Sequence, residues 1–292
     1  MKTRQFLILA GMLMMTSSMT SCTGGGIGTG NAFAYNDRYD DFRDSRTWGK
    51  VVTEELPVAA FSGIDLGGCA DIDFYQDDDM SVAIIGNEKA VALYEVTVKN
   101  DMLTVRLKDN KKTNRNVPQV LIEVHAPALW KVRSTGTGDV ELKHAVQLEG
   151  DLTVTLSGTG DMDADALTCH KLSVKQTGTG DADVESLKCD VLEVANSGTG
   201  DTDMDGTVKR ADVRVTGTGD ADLKLKADEV KVAATGTGDV DLNVKCDRLD
   251  INAGGTATVE AKGKCTELVK QSRGLAKVRT KELKVDHLNI EN

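Results

Sequence analysis

Bulk is scarce in this chain: aromatic side chains make up 4% of its 292 residues and proline occurs three times. Apolar residues still amount to 40%, so an extended core is within reach. It must be built from Val, Leu, Ile, Ala and Gly, which favours thin layers of small side chains over a thick globular interior. Basic residues are in deficit, 35 Lys and Arg against 46 Asp and Glu, for a formal charge of −11. That balance argues against nucleic acid or an anionic membrane surface as a partner, because both repel an acidic surface. Cations, sugars and proteins remain compatible. No Cys-x-x-Cys occurs among the six cysteines and only His170 adjoins one, which makes a thiolate metal site a weak reading. His125, His144, His170 and His287 share no repeat position, so spacing supplies no nucleophile and base pair.

What is present begins with a processing segment. Lys2 and Arg4 precede an apolar stretch, Phe6 to Met15, that is too short to span a bilayer as a mature helix. It leads into Met19-Thr20-Ser21-Cys22, which resembles a lipobox with Met19 where Leu is usual. Residues 1–21 therefore read as a signal peptide and Cys22 as the lipidated first residue of the mature chain, with ordinary signal-peptide cleavage nearby as the alternative. No second apolar run follows, so the lipid is the expected membrane anchor. Residues 22–50 read as the acylated cysteine and a flexible tether, with Gly24-Gly25-Gly26 and a charged stretch lacking periodicity. The expected location is the cell envelope, as an outer-membrane lipoprotein. Thr23-Gly24-Gly25-Gly26 lacks an acidic export tag, which tilts the reading from surface-exposed toward periplasm-facing.

Residues 133–292 repeat themselves. Thr135-Gly-Thr-Gly-Asp139 recurs with its first glycine at Gly136, Gly158, Gly178, Gly198, Gly217, Gly236, Gly255 and Gly274, at intervals of 22, 20, 20, 19, 19, 19 and 19. Within a unit, apolar residues or Gly alternate with polar ones, as from Val230 to Val244, a strand period and not a helical one. A unit this short has no room for a crossover helix. The pattern predicts an all-β fold, a parallel β-solenoid with one rung per repeat and equivalent residues stacked in columns about 4.8 Å apart. Inward glycines would mark places where opposing walls come close. The less regular strands of residues 51–132 read as opening coils or a capping sheet, with Leu66-Gly-Gly-Cys-Ala-Asp-Ile72 as a divergent early rung and 109–116 as a loop.

Phe61-x-x-Ile64, the Ala126-Pro127-x-Leu129 step and the repeated Ser/Thr-Gly-Thr-Gly-Asp, on a lipoprotein-type leader, resemble the bacterial family of the putative auto-transporter adhesin, head GIN domain. The resemblance runs from about Val51 to the end. It implies adhesion and carries over no catalytic residue. With no chain after Asn292 for a translocator barrel, the protein is not expected to be an autotransporter itself.

Alternation sends Asp139, Asp161, Asp181, Asp201, Asp220 and Asp239 outward in one column, and Glu141, Asp163, Asp183, Asp203, Asp222 and Asp241 in a second. Like charges about 4.8 Å apart in water repel by about 0.9 kcal/mol, so such an array should attract counterions, with Ca²⁺ or a cationic partner as candidates. The plainer reading is a solvated, aggregation-resistant face. Thr137, Thr159, Thr179, Thr199, Thr218 and Thr237 form an outward hydroxyl column that could meet glycans or ice, or simply suit exposed strands. Cys169 with Cys189 and Cys246 with Cys265 fall in register, as buried thiols or as disulfides, with Cys69 left over. The function expected is non-enzymatic: a lipid-anchored adhesin or binding scaffold for a glycan or envelope protein. The alternative is a polysaccharide-processing enzyme on a β-helix, disfavoured because active sites break repeats and these carboxylates are the repeat.

Overall fold

The computed structural model describes residues 45–108 and 117–290. The leader, Cys22, the tether as far as residue 44 and the expected loop at 109–116 lie outside the described residues. Among the described residues no helix is long and apolar enough to cross a membrane.

The protein is a parallel β-solenoid of about eight turns. Its first part comprises α1 (Ser45–Trp48), β1 (Val51–Glu55), β2 (Gly63–Leu66), β3 (Ala70–Gln76), β4 (Ser81–Asn87), α2 (Glu88–Val91), β5 (Tyr94–Lys99), β6 (Met102–Leu107) and β7 (Val120–Ala126). The regular part comprises β8 (Lys131–Ser134), β9 (Val140–Gln147), β10 (Leu152–Leu156), β11 (Met162–Gln176), β12 (Ala182–Asn196), β13 (Thr202–Val215), β14 (Ala221–Lys226), β15 (Glu229–Ala234), β16 (Val240–Ala253), β17 (Thr258–Ser272) and β18 (Lys277–Ile290). Each regular strand pairs in parallel with the equivalent strand one repeat away, so that Asp163 lies beside Asp183 and Leu172 beside Leu192.

Alternation builds the core. In β11 the buried residues are Met162, Ala164, Leu167, Cys169, Leu172, Val174 and Gln176. The pattern slips by one residue at Asp165–Ala166 and again at His170–Lys171, and the pairing of β11 with β12 skips Asp165, Ala166 and His170. The repeated Gly-Thr-Gly-Asp segment is itself a third interruption. The alternation read from Val230 to Val244 crosses a corner: β15 ends at Ala234 and β16 starts at Val240. Inside-outside periodicity survives the bend because the second glycine of each corner, as at Gly238, stays buried.

The glycines have a different cause from the one expected. A Cβ on Gly158 would lie 1.9 Å from the carbonyl oxygen of Gly136, and one on Gly178 would lie 2.0 Å from that of Gly158. The crowding comes from the preceding rung in the same column and not from an opposing wall.

The first part departs from chain order. β2 pairs in parallel with both β6 and β8, and β3 with both β7 and β9. The chain thus lays down the second rung first, turns back through β4, β5 and the terminal rung β6–β7, then crosses to the other side of β2–β3 to start the regular stack. Antiparallel strands decorate this end, β4 on β7, β1 on β4 and β5 on β6. The folded part also reaches further back than Val51. Ser45–Trp48 form a helical turn, Asn87 Nδ2 donates to Gly49 O at 2.9 Å, and Trp48 packs partly buried against the core.

Candidate functional site

The two acidic columns are chemically unequal. Along the first, each carboxylate accepts the backbone N–H of the next residue in the column. Asp139 N–H donates to Asp71 Oδ1 (3.0 Å), Asp161 to Asp139 (2.9 Å), Asp181 to Asp161 (2.7 Å) and Asp201 to Asp181 (2.7 Å). Asp220 continues to Asp201 (2.8 Å), Asp239 to Asp220 (2.7 Å) and Thr258 to Asp239 (2.8 Å). A corner turns the backbone out of the strand ladder, and this carboxylate satisfies the amide the corner would leave unpaired. The column is a structural ladder, and Asp71 is its first rung. Spacing alone missed Asp71 because it sits 68 positions before Asp139, outside the repeat period.

The second column sits on straight strand. Its ends are neutralised: Glu141 pairs with Lys143, and Glu260, which continues the column, pairs with Lys262 at 3.0 Å and Arg279 at 3.7 Å. Among the described residues the middle members Asp163, Asp183, Asp203, Asp222 and Asp241 have no basic group within 4.0 Å. Partial burial, then repulsion from Asp183, Asp161, Glu141 and Asp139, pushes the Asp163 carboxyl up to about 6. Asp183 is raised by burial and by Asp203, and Asp241 by burial and by Glu260. Among the described residues no three carboxylate, imidazole or thiol groups converge to hold a metal ion. The Ca²⁺ expectation therefore has no preformed cage behind it: stacked carboxylates all point the same way, whereas chelation needs convergence.

Beside the ladder the hydroxyl columns flank the corner glycines. Ser157, Thr177 and Ser197 on one side and Thr159, Thr179, Thr199 and Thr218 on the other, with the glycines between, line a shallow trough of about 450 Å³. Hydroxyls on the first side reach back to the preceding rung, as Thr177 Oγ1 does to Leu156 O at 3.4 Å. Thr137 Oγ1 lies 3.5 Å from Gly68 O. Thr159, Thr179, Thr199, Thr218 and Thr237 are exposed.

Two further groupings escaped the sequence. Beneath the corners, Gln176 and Asn196 are fully buried where neighbouring rungs carry Leu156 and Val215. Gln176 Nε2 donates to Gly180 O and Asp201 O, Thr202 Oγ1 donates to Gln176 Oε1 at 2.8 Å, and Asn196 Nδ2 donates to Gly200 O at 2.7 Å. Second, Tyr75 gathers His125 and His144, with ring centroids at 4.9 and 5.8 Å. His125 also lies 3.2 Å from Glu123 and 3.5 Å from Asp77. Tyr75 and His125 are direct rung partners. The histidines look scattered in the sequence because the rungs of this part are stacked out of chain order.

Cys69, Cys169, Cys189, Cys246 and Cys265 are all free thiols, and Cys169 with Cys189 and Cys246 with Cys265 are rung partners. Burial pushes the Cys246 thiol up to about 12, so it stays protonated and unreactive.

Comparison with known proteins follows the same lines. A putative adhesin from Bacteroides fragilis NCTC 9343 is 26% identical over 83% of this chain and 97% of its own, with a TM-score of 0.54. A putative adhesin from Parabacteroides distasonis ATCC 8503 is 19% identical, with 83% and 97% covered and a TM-score of 0.64. A protein from the same strain described as a putative lipid binding protein is 18% identical, with 84% and 98% covered and a TM-score of 0.55. The last two share the fold. No curated protein matches the chain. The model of one family matches residues 60–245 and 222–292, nearly the whole solenoid, and the chain belongs to that family, the putative auto-transporter adhesin, head GIN domain.

Proposed function

We propose that this protein is a non-enzymatic binding scaffold of the cell envelope, anchored by an acylated Cys22, that presents the second acidic column and the adjoining threonines as a multivalent contact face. The observation that carries the reading is repetition without a break. Five unpaired aspartates, Asp163 to Asp241, occur once per rung beside exposed threonines on the same rungs. Contacts that are weak singly add along such an axis, which suits adhesion. The partner this face selects is one with repeated cationic or hydroxyl groups, a protein or a glycan of the envelope. The first acidic column is a poorer contact surface, since its carboxylates already accept backbone amides.

The test is capture of envelope proteins and glycans by the full-length chain in nonionic detergent, against the triple variant Asp183→Asn, Asp203→Asn, Asp222→Asn. The expected result is a discrete set of ligands retained by the parent and lost, by about tenfold or more in affinity, in the variant. Equal capture by both would remove this face from the function. For the anchor, Cys22→Ala should abolish incorporation of a labelled fatty acid and release the chain from the membrane fraction.

A further inference from the structure

Opposite in sign to that face, a straight trough of about 820 Å³ runs across five rungs. Its floor is the backbone of Leu187, Gly206, Leu225, Val244 and Gly263, residues directly paired from rung to rung. One rim is the column Lys188, Thr207, Lys226, Lys245 and Lys264. The other carries Asp205, Lys224 and Asn243. Lysines thus outnumber acids five to one in the lining of a chain whose net charge is −11. Lys264 lies 3.6 Å from Asp286. Among the described residues, Lys188, Lys224, Lys226 and Lys245 are exposed and have no carboxylate within 4.0 Å. Elsewhere on the solenoid Lys171, Lys209, Lys231, Arg106, Arg214 and Arg248 are held in ion pairs. Unpaired cations stacked about 4.8 Å apart repel each other as the aspartates do, and an anionic ligand removes that cost.

The surroundings decide how broad the ligand can be. Asp203, Asp222 and Asp241 run along one side of the trough, and Asp190, Asp228 and Asp247 along the other, where Lys209 stands among them paired with Asp190. A bilayer or a nucleic acid duplex laid over the lysines would also meet both acidic columns, whereas a single thread confined to the trough meets only the lysines. No aromatic side chain lines it, so it lacks the stacking platforms by which single-stranded nucleic acid is held. An extended acidic peptide repeats its same-face side chains every two residues, roughly 6.6 Å, out of step with rungs about 4.8 Å apart. An extended uronic acid chain advances by close to one rung per sugar, brings one carboxylate per residue, and has hydroxyls for Thr207 and Asn243 on the rims. We infer that this trough is a binding site for a linear acidic polysaccharide, a surface separate from the acidic and threonine face.

The experiment measures binding of a defined decameric galacturonan to the full-length chain in detergent at low and high ionic strength. A neutral glucan of equal length and a single-stranded oligonucleotide are the comparison ligands. Galacturonan should bind at low salt, weaken as salt rises, and lose about tenfold or more in affinity in Lys226→Glu/Lys245→Glu. Lys226→Arg/Lys245→Arg should keep affinity within about threefold. An unchanged circular dichroism spectrum checks the fold of each variant. The inference is overturned if galacturonan does not bind at low salt, or if the glutamate variant binds as well as the parent. It is overturned equally if the oligonucleotide binds as tightly per charge. Asp183, Asp203 and Asp222 are intact in these variants, so failure here leaves the acidic face standing, and the reverse.

Discussion

A corner glycine is fixed by the backbone of the rung before it. Gly178 has no room for a Cβ because the Gly158 carbonyl of the preceding rung occupies the space 2.0 Å away, while Gly150 faces nothing within 4 Å. Gly178→Ala must push two rungs apart and should cost about 2–3 kcal/mol. Gly150→Ala should stay within about 0.5 kcal/mol. Urea unfolding of the two variants checks the contrast, and equal losses would mean the corner relaxes more freely than the stacked carbonyls allow. At the same scale, the Asp ladder shows why residue type alone misleads. Asp181 and Asp183 are two positions apart and both outward, yet one carboxylate accepts the Asp201 N–H and the other has a raised pKa from burial and crowding. Alternation distinguishes inside from outside, but it is blind to where the backbone turns and leaves an amide needing an acceptor.

At the scale of the strand and its column, the second acidic row is a source of pH dependence. The carboxyl of Asp163 is pushed from an ordinary value near 3.8 up to about 6 in the folded protein. A raised carboxyl holds its proton more tightly folded than unfolded, so its favourable contribution is complete below about pH 4 and is lost as pH rises through about 6. Asp163→Asn keeps the shape without the charge. Its stability relative to the parent should therefore be unchanged at pH 4 and rise by about 1 kcal/mol by pH 7, after allowance for solvent screening at the exposed carboxylate. High salt should shrink the difference, since part of the shift is repulsion from Asp183 and Asp161. Denaturation midpoints from pH 4 to 7 test this, and a variant less stable than the parent at pH 7 would contradict it. The same columns were legible as acidic from the repeat, whereas their inequality was not. Gln176 and Asn196 were likewise unread: a polar residue at an inward position breaks the pattern, and only the Gly180, Gly200 and Asp201 carbonyls above them explain why burial is tolerated.

For the whole molecule, stability is a sum of rungs and the interfaces between neighbours. Removing residues 178–197, one complete unit, joins Thr177 to Gly198 and keeps every column aligned. The shortened chain should fold, retain its strand spectrum per residue and unfold at a modestly lower urea concentration. Removing half a unit turns inward residues outward and should abolish cooperative unfolding. If both deletions behaved alike, the stack would not be held by column register.

Rung length, the strand class, the parallel stacking and the inward alternation of stretches such as Val230 to Val244 follow from the sequence alone. Each depends on contacts between residues one repeat apart, and a fixed period of 19 to 22 makes such partners visible. Only the tertiary structure decided that β2–β3 lies between β6–β7 and β8–β9, that Asp71 starts the ladder, that His125 and His144 share Tyr75, and that five lysines from four rungs border one trough. Those arrangements join positions with no common period, or depend on which outward columns become neighbours after the chain turns its corners. Strand pairing is satisfied by whichever free edge is offered, so the order of the opening rungs is a property of the assembled stack and not of any local pattern.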